Sequence, residues 1–264
     1  MRTAHPTDKL WASGTVDRIL DTQQVKTMNL EIIAHRGFSS IAPENTLFSF
    51  EQAIARGASS IEFDIQLSAD SVPVIFHDAT LERITGVSGK VRDKNLSQLQ
   101  TLDTGKWFSA EFLGQKIPTL EEALSILKNV DKFLYFDVKP HCEWSDSEVA
   151  GFVNTLNDAG IKEKCVITSF NDGFLGQVRQ ICDDLAIGHI VANLEAYKSQ
   201  LAQAVAHRDN LISSQYRILL ENPALIEASR SQGVDIVAWT VDDRSDMQKL
   251  VDLGITRIVT NCLI

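Results

Sequence analysis

"IEFDIQLSADSVPVIFHD", residues 61–78, is the stretch on which the fold turns. It reads as two extended apolar segments, IEFDIQL and VPVIF, joined by a short polar break. Neighbouring parallel strands need a crossover of a dozen or more residues, and SADS is far too short for one. The segments are therefore expected to pair as a hairpin. A turn at Ala69 and Asp70 would set Glu62 opposite His77. Glu62 and Asp64, two positions apart, share one face of their strand because side chains alternate with period two. Two carboxylates and an imidazole then converge on one small volume, where burial and like charge are both costly unless a cation accompanies them.

Outward from this hairpin, strand-like and helix-like segments alternate from Leu30 onward. "LEIIAH" (30–35) reads as a strand. "PENTLFSFEQAIARG" (43–57) reads as a helix with Pro43 at its opening, Gly57 at its close and apolar residues at helical spacing. Glu44 and Asn45 are expected to cap or brace that helix. Further strands are expected at "FLYFDVK" (133–139), "CVITSF" (165–170), "LAIGHIV" (185–191), "LISSQY" (211–216), "DIVAWTV" (235–241) and "RIVTN" (257–261). Helices are expected between the later ones, at Leu120–Leu127, Ser147–Leu156, Gly173–Ile181, Leu194–Ala206, Pro223–Ser231 and Ser245–Leu253. Such alternation implies an α/β fold with a mainly parallel sheet. The chain length and the lack of a G-x-G-x-x-G turn favour a closed (β/α)8 TIM barrel over an open dinucleotide-binding sheet. Nine strand candidates are one too many for eight, so at least one is expected either not to form a strand or to lie outside the barrel. The polar run from Ala79 to Gly114 breaks the rhythm and is read as an insertion after an early barrel strand, placed at the mouth.

The chain has 264 residues, 44% hydrophobic and 23% charged, with a net charge of −10 and a pI of about 5.1. The acidic balance argues against nucleic acid and anionic membranes as general partners. Cysteines at 142, 165, 182 and 262 show no metal-finger or C-x-x-C spacing, which points to reduced thiols and a cytoplasmic protein. No apolar run is long enough for a signal peptide or a membrane helix, so no stable membrane insertion is expected. Residues 1–27 read as an N-terminal extension to a domain spanning 28–264; their form and the oligomeric state are not legible.

Two further strands end like the hairpin. "IIAHRGF" closes on His35-Arg36-Gly37, and "FLYFDVKPH" on Asp137 and Lys139, again two apart. In a barrel the C-terminal strand ends meet at one rim, where chemistry gathers. Glu62, Asp64 and Asp137 suit a hard divalent cation, Mg2+ or Ca2+. Arg36 and Lys139 suit a phosphate. His35 and His77 suit proton transfer near neutral pH. Together they point to metal-assisted phosphoryl chemistry. His141, His189 and His207 are read as structural, and Asp137 has a rival reading as a plain ion-pair partner of Lys139. Trp239 reads as core. Phe170 and Asn171 are placed at the mouth, and Trp107 and Phe108 either contact a ligand or pack.

"AHRG", "APENT", "IEFDIQLSADSVPVIFHDATLER", "IPTLEEAL", "FDVK" and "AWTVDD" resemble, in order and spacing, the signature blocks of the glycerophosphodiester phosphodiesterase family. The resemblance covers about Leu30 to Asn261. It implies a TIM barrel that hydrolyses glycerophosphodiesters such as glycerophosphocholine or glycerophosphoethanolamine to sn-glycerol 3-phosphate and an alcohol. It places that family's paired histidines on His35 and His77, its metal carboxylates on Glu62, Asp64 and Asp137, and its phosphate-binding groups on Arg36 and Lys139. It also sets an aromatic near the pocket at Trp239. Asp137 stands where the family usually has glutamate, and Asn261 where it often has aspartate. Rival readings are a lysophospholipase D-like or phosphoinositide-directed phosphodiesterase on the same barrel, and a non-catalytic phosphodiester-binding protein.

Overall fold

Parallel strands enclosed by helices must be apolar on both faces, and the second strand of this chain is buried at all eight of its positions. The computed structural model of the chain describes residues 30–209 and 211–263. The expected extension at residues 1–27 lies outside them. In chain order the described elements are β1 (Glu31–His35), α1 (Leu47–Ala55), β2 (Ser60–Leu67), β3 (Pro73–Ile75), α2 (Glu82–Thr85), α3 (Leu96–Leu99), α4 (Leu120–Leu127) and β4 (Leu134–Val138). There follow α5 (Asp146–Asp158), β5 (Cys165–Ser169), α6 (Asp172–Ile181), β6 (Ala186–Val191), α7 (Leu194–His207) and β7 (Leu211–Gln215). The last are α8 (Tyr216–Glu221), α9 (Ala224–Ser231), β8 (Asp235–Trp239), α10 (Arg244–Asp252) and β9 (Arg257–Thr260).

Every strand but β3 joins a parallel ring in the order β1-β2-β4-β5-β6-β7-β8-β9, closed by β9 on β1. This is the (β/α)8 barrel, and β3 is the strand outside it. β3 pairs antiparallel with the far end of β2, at Ile65↔Ile75 and Leu67↔Pro73. The hairpin is real, but its register differs by one residue from the expected one. Ser68 explains the difference: its Oγ accepts from Val72 N (2.9 Å) and donates to Asp70 Oδ1 (2.6 Å), widening the turn into a loop centred on Asp70. Pairing ends at Ile75, so Glu62 faces His35 of β1 and Tyr135 of β4 rather than His77.

Alternation along each strand splits the core in two. Ile33, Tyr135, Val166, Leu211, Val237 and Val259, from six different barrel strands, pack together inside the barrel. The opposite faces, among them Phe63, Ile65, Phe136 and Ile167, meet α1, α4, α5 and α6 in an outer core. Several helix starts carry side-chain caps: Thr119, Ser145, Asn171, Asn193 and Asp243 each accept from a backbone N–H in the first turn. Helix α1 opens at Leu47 with Thr46 as its cap, in a reciprocal box with Ser49. Glu44 and Asn45, expected to serve that helix, are free for other work.

Residues after β3 fold over it. Leu81, Ile84, Val91 and Leu99 join Val74, Phe76 and Ile117 in a small core of their own. The return segment pairs back on β3, with Ile75 N donating to Pro118 O at 2.9 Å. Helix α8 was not foreseen, because it follows β7 with no turn residue between them.

Candidate active site

The inward faces of β2 and β4 change character along their length. Below the rim they present Ser60 and Tyr135, and at the C-terminal end Glu62, Asp64 and Asp137. Asp64 and Asp137 are paired directly in the β2–β4 register, so the two carboxylates are neighbours by construction. One carboxylate oxygen from each of Glu62, Asp64 and Asp137 lies within 4.8 Å of the others. Lys139 reaches between two of them, with Nζ 2.6 Å from Asp64 Oδ1 and 2.7 Å from Asp137 Oδ2. The ion pair weighed as a rival role for Asp137 therefore exists, inside the cluster rather than instead of it.

A sharp left-handed turn after β1 supplies the cationic wall. Arg36 and Gly37 have φ of 57° and 82°, and a Cβ on Gly37 would sit 2.7 Å from the Ser49 backbone carbon. Only glycine fits that approach. Arg36 N donates to Glu62 O (2.8 Å) and to Glu62 Oε2 (3.1 Å). Its guanidinium pairs with Asp64 Oδ2 (3.1 Å) and Glu44 Oε1 (2.8 Å). Asn45, also at positive φ (58°), donates through Nδ2 to Asp64 Oδ2 at 2.6 Å. Asp64 is thus the most heavily braced carboxylate of the three.

Electrostatics follow from this crowding. Burial works against the Asp64 anion, but Lys139 and Arg36 together hold its carboxyl well below the usual range. Glu62 is pushed well up by burial, then by the charges of Asp64 and Asp137. Asp137 is also raised, chiefly by burial, with Lys139 opposing. Two of three carboxylates are therefore short of positive charge, and Asp137 Oδ1 is buried without a hydrogen-bond partner. Buried acceptors left in that state are costly. The donor set is all oxygen and suits a hard divalent ion; the residues fit a metal.

The two histidines open onto the same mouth. His35 ends β1 with Nε2 3.9 Å from Glu62 Oε2. Burial first, then the Arg36 charge, push it down to about 4, so the metal-free imidazole is neutral at pH 7. His77 follows β3, where Gln66 Nε2 clamps the chain on both sides of it by donating to Phe76 O (2.8 Å) and Asp78 O (2.9 Å). His77 Nδ1 meets Asp78 Oδ1 at 2.7 Å. Arg83 then bridges Asp78 (2.5 Å) to Glu44 (2.7 Å), so a chain of ion pairs runs from Asp78, the hydrogen-bond partner of His77, round to Arg36.

All eight residues singled out from sequence meet here. His35, Arg36, Glu62, His77, Asp137, Lys139 and Trp239 line one cavity at the C-terminal mouth, and Asp64 lies beneath it, paired to Lys139 and Arg36. The cavity's far wall is aromatic and apolar: Phe170 stands edge-on to Trp239 with ring centroids 6.3 Å apart, above Ile190 and Val237. Phe108 packs between Trp107 and Phe112, and Trp107 also lies under Arg83. His189 is structural, bound to Asp209 at 2.7 Å on the outer side of β6. Asn45, Gln66 and Asp78 were not given site roles from sequence; the polar run before α1 was a visible signal only for the first.

A family model described as the glycerophosphoryl diester phosphodiesterase family matches residues 35–263. The chain is 30% identical over 245 residues to a glycerophosphodiester phosphodiesterase of Caldanaerobacter subterraneus subsp. tengcongensis, covering 89% of this chain and 95% of that one. It is 40% identical to glycerophosphodiester phosphodiesterase 1 of Bos taurus, covering 80% of this chain and 71% of that one. Among solved structures, an Oleispira antarctica phosphodiesterase in complex with the product sn-glycerol-3-phosphate superposes with a TM-score of 0.80 at 29% identity, covering 90% of this chain and 95% of that one.

Proposed function

The chain belongs to the glycerophosphodiester phosphodiesterase family, and on that premise we propose that it hydrolyses small glycerophosphodiesters to sn-glycerol 3-phosphate and an alcohol in a metal-dependent reaction. The observation that carries this reading is the convergence of an under-neutralised carboxylate triad, two cations and two histidines on one mouth.

Glu62, Asp64 and Asp137 would hold one divalent ion, Mg2+ or Ca2+. Such an ion, when bound, withdraws charge from a phosphoryl oxygen and acidifies a hydroxyl that touches it. The chain's own groups do the rest. Arg36 and Lys139 each keep donors beyond those spent on carboxylates and would hold the phosphate. One histidine would take the nucleophile's proton and the other would protonate the leaving alcohol, each worth about 10^2- to 10^4-fold. Phe170 and Trp239 would exclude water on the far side and pack against the non-phosphate part of the substrate. The Oleispira antarctica relative with bound sn-glycerol-3-phosphate supports the glycerol-bearing product. No helix among the described residues is long and apolar enough to cross a membrane, and the four cysteines are free thiols, which supports action in a reducing compartment, the cytoplasm.

The test is a substrate panel of glycerophosphocholine, glycerophosphoethanolamine and lysophosphatidylcholine, each with chelator and with Mg2+ or Ca2+ restored. Metal-dependent release of glycerol 3-phosphate from the first two is expected, with His35→Ala and His77→Ala each losing about a hundredfold or more in kcat while remaining folded. Preferential cleavage of lysophosphatidylcholine would move the assignment to the lysophospholipase D-like reading. Binding without turnover would move it to the non-catalytic one.

A further inference from the structure

A chain of hydrogen bonds behind His35 determines which of its nitrogens carries the proton. Nδ1 of His35 lies 2.7 Å from Oδ1 of Asn261. The Asn261 amide has one way to face, because its Nδ2 lies 2.7 Å from Asp242 Oδ2 and a carboxylate only accepts. Asp242 is itself held by the end of β9: Thr260 Oγ1 donates to Oδ1 at 2.9 Å and Asn261 N at 2.8 Å. Ser39 Oγ donates to the same Asn261 oxygen at 2.7 Å. Turning the amide over would set oxygen against oxygen at Asp242. With Oδ1 toward the imidazole, Nδ1 must be the N–H, and in the neutral ring Nε2 then holds the lone pair. Nε2 is the nitrogen on the Glu62 side.

We propose that Asp242 and Asn261 are positioning residues that lock His35 in its Nδ1–H tautomer and aim a bare Nε2 at the carboxylate cluster. Neither belongs to the cavity lining; both act through His35. A tautomer held in this way gives a proton acceptor without a search over ring states at each turnover. An amide is chosen where a carboxylate would also accept, and Asp242 supplies what an amide lacks, a fixed orientation.

The tautomer is read in the free, chelated chain, independently of any activity; only the kinetic arm rests on His35 transferring a proton. Two-bond 1H–15N spectra of the 15N-labelled protein, with His35 assigned by the signal lost in His35→Asn, should show the lone-pair nitrogen at Nε2. Asp242→Asn frees the Asn261 amide to turn. It should give a mixture of His35 tautomers and a kcat on glycerophosphocholine at least about tenfold lower, with KM changed by less than about threefold. The reciprocal exchange, Asp242→Asn with Asn261→Asp, restores an acceptor facing Nδ1 and a donor behind it. It should recover the single tautomer and most of kcat, which loss of folding could not do. A wild-type proton on Nε2, an Asp242→Asn chain with unchanged spectrum or unchanged kcat, or a reciprocal exchange that recovers neither would overturn the proposal. Absence of turnover in the wild type would instead sink the proposed function and leave the spectra to decide the tautomer.

Discussion

Replacing Asp137 with asparagine should separate the metal site from the stability of the fold. In the metal-free chain, Asp137 gains from Lys139 at 2.7 Å, roughly 6 kcal/mol at an effective dielectric of about 20. It loses to Asp64, whose oxygen lies within 4.8 Å, roughly 3.5 kcal/mol or more at the same dielectric, while Glu62, pushed up toward its neutral form, adds little. Burial of the charge, the largest cause of the raised pKa of Asp137, offsets the remaining attraction of roughly 2.5 kcal/mol. Asp137→Asn should therefore melt within about 1 kcal/mol of the wild type in chelator, an unusually mild result for a buried charge in contact with a lysine. With the ion present the two should part. A ligand at a hundred times its Kd adds about 2.7 kcal/mol, which for a domain of this size is a rise of roughly 5–10 °C in Tm. The wild type should show that rise on titration with Mg2+ or Ca2+ and Asp137→Asn should not. Thermal melts by circular dichroism, with and without chelator, are sufficient. A variant that loses more than about 3 kcal/mol without metal, or that keeps the full metal-induced rise, would refute the charge accounting.

Two further outcomes follow from features outside the triad. Glu148 ties the β2–β3 loop to α5: despite opposing burial, hydrogen bonds from Ser71, Ser145 and Arg92 pull it down to about 2. A depressed acid contributes stability above its unfolded pKa and loses it as pH falls through the folded value. Glu148→Gln should therefore cost about 1 kcal/mol at pH 7 and almost nothing near pH 2, read from denaturant melts at both; a pH-independent cost would contradict this. Gly37→Ala forces a side chain into the Ser49 backbone at positive φ, and should lower stability by about 2 kcal/mol or more together with activity. Wild-type melting would refute the turn's role.

Much of this was legible because the chemistry rides on strand periodicity. Glu62/Asp64 and Asp137/Lys139 are visible as i, i+2 pairs at the ends of apolar runs, and the parallel register then sets Asp64 beside Asp137. The hairpin register was not legible, since it depends on one serine hydroxyl bonding Asp70 and Val72. Nor was the support around the site. Asn45 reaches Asp64 across 19 residues and Asn261 reaches His35 across 226, separations at which no local pattern survives. Gln66 looks like an ordinary polar residue in a strand until the chain after β3 returns to be clamped by it. Periodicity reports which face a side chain takes; it does not report what arrives opposite.

The most direct test of the central claim is a crystal structure of the chain with a divalent ion and sn-glycerol 3-phosphate. One ion is expected, held by oxygens of Glu62, Asp64 and Asp137 at about 2.0–2.6 Å, with the phosphate against Arg36 and Lys139 and within reach of His35 and His77. An ion bound elsewhere, or a phosphate seated away from those two cations, would contradict it.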